Sequence, residues 1–337
     1  MTSTDLNQIF EPLSSTSTTS PTGYNVNGVD LNQFFTPVTY SWTQQPNSGS
    51  KYWGPIASSS DGTNLVAGIY YLVSGTGSGY IYTSSDSGVT WTERTSAGSQ
   101  QWISIASSSN GKYLAACTFP GYIYTSSDSG VTWIQRASSQ NWYSITSSSD
   151  GAKLAACIYG NGGYIYTSTD YGANWTEQPD SGSRIWSAIT SSSDGTKLAA
   201  CVFDAVTITN SYIYTSSDSG VHWAEQPDSG YRVWSAIASS SDGSKLAATV
   251  IGGYIYTSSD SGVNWVEQTG SGSRDWISIA SSSDGSKLAA TVNDGYIYTN
   301  ILASQTGYTV DGIDLNHVFE PLSSTSTTSP TGYTVTI

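Results

Sequence analysis

The chain has 337 residues, of which 25 are acidic and 11 basic, so its formal net charge is −14 at pH 7. This charge repels phosphate backbones and anionic lipid headgroups, and we therefore expect no nucleic-acid partner and no membrane insertion. The N-terminus, MTSTDLNQIF, has neither the basic nor the apolar part of a signal peptide, and no stretch is apolar enough for a spanning helix. These absences favour synthesis in the cytosol and leave release with a virion or an extracellular assembly open.

We call the two ends of the chain, 1–38 and 301–337, the arms. Both arms contain the same segment. FEPLSSTSTTSPTGY occurs at 10–24 and again, unchanged, at 319–333. A larger unit, GYxVxGxDLNxxFxP, is complete at 23–37 and 307–321. Units of this kind resemble segments in structural proteins of large DNA viruses. The arms offer these anchors for assembly: Leu6, Phe10, Leu31, Phe35, Leu315, Phe319, Tyr333 and Val335.

The arms have two interpretations. The chain starts and stops partway through a unit, so the C-terminal strand of one molecule could dock where the next molecule begins. Such a head-to-tail contact propagates as a filament or lattice. Alternatively, both arms fold back on their own molecule and reinforce its closure, since domain termini often lie close together.

The body, 39–300, is periodic. All twelve tryptophans fall in two series that mark six copies of one unit. Each copy predicts four short strands. An Asp-Gly pair, as at Asp61-Gly62, predicts a two-residue hairpin turn between the first and second strands.

A second motif, SSDSGVTW at 84–91, recurs in four later copies and resembles the Asp-box (BNR) repeat of β-propellers such as sialidases and sortilin-type receptors. The resemblance implies a hairpin between the third and fourth strands of a blade, with a structural role for its Asp and Trp. The matching residues are Asp86, Asp128, Asp170, Asp218 and Asp260, with Trp91, Trp133, Trp175, Trp223 and Trp265.

The sixth copy has no such motif, whereas the first copy is preceded by an orphan fourth strand, Tyr40-Ser41-Trp42-Thr43. The fold class predicted is therefore all-β: a six-bladed propeller of four-stranded antiparallel blades. We expect residues 39–45 to pair beside 295–300 and close the ring, which protects the sheet edges.

A catalytic site is not evident. The sialidases that this repeat resembles use an arginine triad, a Tyr/Glu nucleophile pair and an Asp acid, and that set is missing. The body's glutamates, Glu93, Glu177, Glu225 and Glu267, all occupy one repeat position. His222 and His317 have no Cys or His nearby in sequence, which leaves a zinc site or a catalytic triad unsupported. We expect no cofactor, no metal and no enzymatic activity.

Cations occupy two alternating repeat positions. Either the residue three after the fourth-strand Trp is Arg and the residue two before the next Trp is Gln, or the two are exchanged. The cations are Lys51, Arg94, Arg136, Arg184, Arg232 and Arg274. They predict either an Arg stacked on Trp and bonded to Gln, or a cationic ligand face beside the long loops at 70–79 and 203–211.

Three cysteines, Cys117, Cys157 and Cys201, share one repeat position and should lie too far apart for a disulfide. We expect small buried side chains, and an odd number of thiols favours a reducing compartment.

Together these patterns predict a non-enzymatic structural subunit that forms a homo-oligomer or polymer through its arms. The alternative is a glycan-binding propeller, or a divergent glycosidase, that uses the long-loop face.

Overall fold

The computed structural model of the protein describes residues 44–70, 79–160, 162–203 and 211–300, and the backbone of four short strands in the arms. The chain divides into two units, one formed by Gln44–Asn300 and the other by Met1–Thr43 with Ile301–Ile337. The unit Gln44–Asn300 is an all-β, six-bladed propeller, as the tryptophan repeat predicts. Its blades are antiparallel sheets that follow one another along the chain, and we number them sheets 1 to 6.

Each sheet is a meander of consecutive strands. The strands of sheets 1 to 3 are Trp53–Ser58, Leu65–Ile69, Ile81–Ser84 and Thr92–Arg94; Trp102–Ser107, Leu114–Thr118, Gly121–Ser126 and Ile134–Gln140; and Trp142–Ser147, Leu154–Ile158, Ile165–Ser168 and Thr176–Gln178. Those of sheets 4 to 6 are Trp186–Ser191, Leu198–Val202, Ile213–Ser216 and Ala224–Gln226; Trp234–Ser239, Leu246–Val250, Ile255–Ser258 and Val266–Gln268; and Trp276–Ser281, Leu288–Val292 and Ile297–Thr299. Short 3-10 helices are Pro46–Ser48, Thr95–Ala97, Pro179–Ser181, Pro227–Ser229 and Thr269–Ser271.

The turn between the first and second strands differs from the prediction. In sheet 1 the strands end at Ser58 and resume at Leu65, so the two-residue hairpin expected at Asp61-Gly62 is wrong. Gly62 N donates to Ser59 O at 3.0 Å, and the Asp61 carboxylate accepts from Thr63 N at 3.0 Å. Only the glycine has a positive φ, +73°. Local side-chain bonds of the Asp, rather than a left-handed Asp-Gly pair, therefore shape this longer turn.

Consecutive sheets pack face to face, and each contact, or joint, has its own core cluster. We call the surface that meets the following sheet the front face and the surface that meets the preceding sheet the back face. At the joint of sheets 3 and 4, Cys157 and Ile165 of the front face pack on Trp186, Ile189 and Leu198 of the back face. Small residues on one face and large ones on the other interdigitate, as a close-packed core requires.

Five such joints connect sheets 1 through 6, and the sixth is not made in the part of the chain that the structure describes. The first strands of consecutive sheets pack side by side from sheet 1 to sheet 6, and those of sheets 6 and 1 lack this packing. Sheet 6 has three described strands, with Ile297 at 59% exposure on its last one. The strand predicted to close the ring, 39–45, begins with residues 39–43, which lie outside the described residues.

The start of the propeller unit resembles the exit from a fourth strand. Gln45 has φ −98° and ψ 91° and precedes the 3-10 helix Pro46–Ser48, and Ser48 Oγ donates to Gln45 O at 2.8 Å. Gln178, which ends the fourth strand of sheet 3, has φ −107° and ψ 90° and accepts the same bond from Ser181. The turn ahead of sheet 1 thus has the local geometry that elsewhere follows a complete sheet.

The arms contain one described hairpin each. Asn25–Val26 pairs with Val29–Asp30, and Thr309–Val310 pairs with Ile313–Asp314. The registers correspond, with Asn25 opposite Asp30 and Thr309 opposite Asp314, so the shared unit adopts the same hairpin at both ends of the chain.

Candidate functional site

The Asp residues of the SxDxGxxW motif are engaged by their own turn. In sheet 1, Ser84 Oγ donates to Asp86 Oδ1 at 2.7 Å, and Thr90 N donates to the same oxygen at 2.8 Å. Gly88 N in turn donates to Ser84 Oγ at 2.9 Å. The hydrogen bonds, that of the Thr90 hydroxyl first, lower the pKa of Asp86 to about 2. The same bonds form at Asp128, Asp170, Asp218 and Asp260. These carboxylates hold hairpins and are poor general acids.

The tryptophans of the same motif pack on the first-strand tryptophans of their own sheets. Trp133 lies 6.4 Å from Trp102 between ring centroids, and its indole N–H donates to Gly130 O at 3.0 Å. The corresponding pairs are Trp53–Trp91, Trp142–Trp175, Trp186–Trp223 and Trp234–Trp265. Each indole therefore belongs to the packing of its blade.

Glutamate and tyrosine pair across the third and fourth strands, a contact that sequence reasoning missed. Tyr82 lies directly opposite Glu93 in the strand register, and its hydroxyl donates to the carboxylate. The same pair recurs at Tyr166–Glu177, Tyr214–Glu225 and Tyr256–Glu267. Burial, followed by the bond to Glu, raises the pKa of Tyr82, Tyr166 and Tyr214 to about 12. Tyr and Glu side chains are therefore paired, contrary to the expectation that no Tyr/Glu pair is present. A raised pKa disfavours the phenolate, and the same pair repeats in four sheets, so these contacts are suited to cross-strand stabilisation.

The constant spacing of Tyr and Glu along the chain could have predicted these pairs. The second Tyr of YIYT and the Glu after the fourth-strand Trp are separated by eleven residues in each of the four copies. Because the turn between the third and fourth strands has the same length in these copies, the register places the same two positions opposite each other each time.

Four of the six predicted cations lie over aromatic rings. Arg184 Cζ is 4.2 Å from the centroid of Tyr214 and 5.8 Å from that of Trp186. Arg232, Arg274 and Lys51 take the same position over Tyr256, Tyr298 and Tyr82. The stacking on Trp that the repeat predicts is present at these positions.

The exchanged Gln or Arg has a different partner. Gln178 Nε2 donates to Thr167 Oγ1 at 2.6 Å, and Arg94 Nε donates to the equivalent Thr83 at 2.8 Å. Arg136 bonds to Thr125 in the same way at 3.2 Å. The two exchanging positions thus each have a local partner, a third-strand Thr for one and an aromatic ring for the other.

A cavity of about 580 Å³ lies between sheets 5 and 6. Its lining includes Ile255, Gln268, Arg274, Leu288 and Tyr298. At the other joints, the fourth-strand Trp of the later sheet packs beside the equivalent Leu and Tyr, as Trp265 does beside Leu246 and Tyr256. The cavity therefore occupies the position of the fourth-strand indole that sheet 6 lacks in its described strands.

The described titratable groups form no recognisable catalytic constellation. Residues 44–70, 79–160, 162–203 and 211–300 contain no cluster of His, Cys, Asp and Glu that could hold a metal ion. His222 Nδ1 lies 2.6 Å from Asp218 Oδ2 on the surface. Cys117, Cys157 and Cys201 are buried free thiols, and burial raises the pKa of each. Among the described segments, no helix has the length and apolar character needed to cross a bilayer.

Several predicted residues lie outside the described part. They comprise the arm anchors, His317, and most of the two long loops, 71–78 and 204–210.

The fold is similar to that of several solved structures. A GH74 enzyme from Niastella koreensis aligns with a TM-score of 0.59 and 18% identity, over 77% of this chain and 47% of its own. YCF48 from Cyanidioschyzon merolae aligns with a TM-score of 0.55 and 17% identity, over 77% of this chain and 85% of its own. A structure of YCF48 bound to D1 peptide aligns with a TM-score of 0.56 and 18% identity, over 82% of this chain and 86% of its own.

These likenesses establish the propeller fold alone, because all the identities are low. The chain spans about half the length of the GH74 enzyme. No known protein family matches the chain, and no curated protein matches it.

Proposed function

We propose that the protein is a non-enzymatic structural subunit that self-associates head to tail through its duplicated arms, as a filament, a fibre or a virion-surface lattice. The observation that carries this proposal is the same hairpin, in corresponding register, in both arms. A unit that forms the same hairpin at both ends allows the C-terminal arm of one molecule to substitute for the N-terminal arm of the next. Such a heterologous contact does not close on itself and so propagates.

A structural role also accounts for the charged residues of the propeller. The motif Asp residues bond to their turns, the Glu residues to tyrosines, and four cations lie over rings. These periodic contacts support assignment of the blades to the Asp-box repeats, in which the box is structural. They also support the absence of catalysis, since an enzyme needs polar groups that depart from the repeat.

Negative-stain electron microscopy of the full chain, of residues 39–300 and of a deletion of 330–337 tests the proposal. We expect filaments or sheets from the full chain alone. Polymers that persist without 330–337 would exclude docking through the C-terminal strand, and polymers from 39–300 would remove the arms from the contact. Isolated discs in every sample would refute self-association.

A glycan-binding role is the second candidate, favoured by the cavity between sheets 5 and 6. Arg274 and Tyr298 line it together with Asn264 and Gln268. An aromatic ring beside amide and cationic donors suits a sugar. A GH74 enzyme shares the fold.

A glycan array followed by calorimetry tests this role. Tyr298→Ala should abolish binding, whereas Tyr214→Ala, at the equivalent position of sheet 4 with its indole in place, should keep it. An array with no hit above background removes this candidate.

A further inference from the structure

The two ends of the propeller unit present two halves of one joint. The back face of sheet 1 carries Ile56, which is 63% exposed, although the equivalent Ile105 in sheet 2 is 7% exposed. The front face of sheet 6 carries Ile297, which is 59% exposed, although the equivalent Ile255 in sheet 5 is 8% exposed. Both faces therefore repeat residues that are buried wherever a neighbouring sheet is present.

A directional ladder of backbone hydrogen bonds connects the turns of successive sheets. Ser60 N donates to Ser109 O at 2.8 Å in the next sheet. Four further bonds of 2.7 Å continue this pattern through Ser149, Ser193 and Ser241 to Ser283. Because every bond points the same way, the ladder ends with a carbonyl acceptor at Ser60 and an N–H donor at Ser283.

A side-chain bond repeats across two of the joints and has its counterparts at the two free ends. Ile145 N donates to Ser104 Oγ of the preceding sheet at 3.2 Å, and Ile189 N donates to Ser144 Oγ at 3.2 Å. The corresponding acceptor in sheet 6 is Ser278, and the corresponding donor in sheet 1 is the N–H of Ile56. The two free ends thus match in apolar character and in hydrogen bonding.

We propose that a second copy of this chain occupies each free face, with the front face of sheet 6 seated on the back face of sheet 1 of the next molecule. This inference rests on the proposed self-association and adds a contact between propellers to the contact through the arms. The single chain leaves the two faces apart, without the packing of first strands that the other five joints have. A second copy supplies the missing partner at both ends, and neither face carries a charged residue among those equivalent to the five core clusters.

Cysteine cross-linking of the full chain tests the arrangement directly. Ser60→Cys and Ser283→Cys are made as separate variants, mixed under mild oxidation and run on a non-reducing gel. The native cysteines do not interfere, because all three are buried. A double variant, Ser109→Cys with Ser149→Cys, serves as the matched control, since it spans an existing joint and should link within one chain.

We expect the mixture to yield a covalent dimer and a chain with both Ser60→Cys and Ser283→Cys to yield a ladder of multimers. Ile56→Asp should abolish the dimer without unfolding the monomer, because Ile56 is exposed in the single chain. Val131→Asp, at another exposed apolar position (51%), should leave the dimer unchanged.

Three results would overturn the proposal. A chain with both Ser60→Cys and Ser283→Cys that links only within itself would show that sheets 6 and 1 of one molecule meet. Polymers of the wild type that give no cross-link, and that persist with Ile56→Asp, would place the contact elsewhere, and the proposed self-association would stand. A wild type that is monomeric by light scattering would refute both.

Discussion

The interior joints and the two end faces of the propeller carry the same residue types in opposite environments. Ile189 of sheet 4 is 5% exposed, and Ile56 holds the same repeat position in sheet 1 at 63%. The difference is the presence of a neighbouring sheet. Burial in this molecule is therefore a property of the joint rather than of the blade, so matched substitutions at the two places measure what a joint contributes.

Truncation of the isoleucine should show the largest contrast. We expect Ile189→Ala to lower the free energy of unfolding by about 2–5 kcal/mol, the range for large-to-small core changes. Ile56→Ala should cost about 1 kcal/mol or less in dilute monomer, since exposed sites contribute little. Urea titrations of both variants measure the two losses. Equal losses would mean that sheet 1 is covered in the single chain.

Glycine substitutions in the first turns should give a smaller contrast. A Cβ on Gly195 would meet the Lys153 Cβ of the preceding sheet at 2.9 Å, whereas a Cβ on Gly62 would meet nothing within 4 Å. Both glycines have a positive φ, so Ala costs about 1–2 kcal/mol at either position. Gly195→Ala should cost about 1–3 kcal/mol more because of the crowding. Thermal unfolding of the two variants measures their losses of stability. Similar losses would contradict a closed joint at Gly195.

Acid should weaken the end sheet 1 and the interior sheets 2 to 5 alike, because the motif Asp residues of these sheets bond within their own sheet. Hydrogen bonds lower the pKa of Asp86, Asp170 and Asp218 to about 2. A carboxyl group with a depressed native pKa stabilises the fold above its unfolded pKa, about 3.9, and this stabilisation is lost as the pH falls towards 2. The urea midpoint should hold from pH 7 to 5 and fall below pH 4. A midpoint independent of pH between 5 and 2 would argue against these bonds.

A thiol reporter should separate the two environments with almost no change in stability. Cys201 is fully buried, and Thr291 holds the same repeat position on the front face of sheet 6 at intermediate exposure. Thr291→Cys should react with a thiol reagent in the native protein, whereas the three native thiols should react only after unfolding. Protection of this cysteine at high protein concentration would further indicate that a second copy covers the face.

Sequence periodicity was sufficient to predict the propeller and its strands, because Trp186 and its equivalents recur at every joint. The turn at Asp61 was mispredicted, since its carboxylate bonds locally and lengthens the connection. Stacking of Arg184 was predictable from its proximity to Trp186, but its contact with Tyr214 required the register. The exposure of Ile56 was beyond sequence reasoning, because the residue itself follows the repeat and only the arrangement of the sheets leaves it uncovered. The functional importance of the arms stays a prediction.

The paired indoles also give the molecule an optical property. In five sheets, two tryptophan rings lie 5.8 to 6.4 Å apart, from Trp53–Trp91 at the shorter limit to Trp102–Trp133 at the longer. Electronic transitions of neighbouring rings couple at such distances, so each of these blades should contribute an exciton signal to the circular dichroism spectrum. Trp276 of sheet 6 pairs with Tyr298 and with no second indole in the described residues. The circular dichroism contribution of Trp276 should therefore change when sheet 6 acquires a fourth strand.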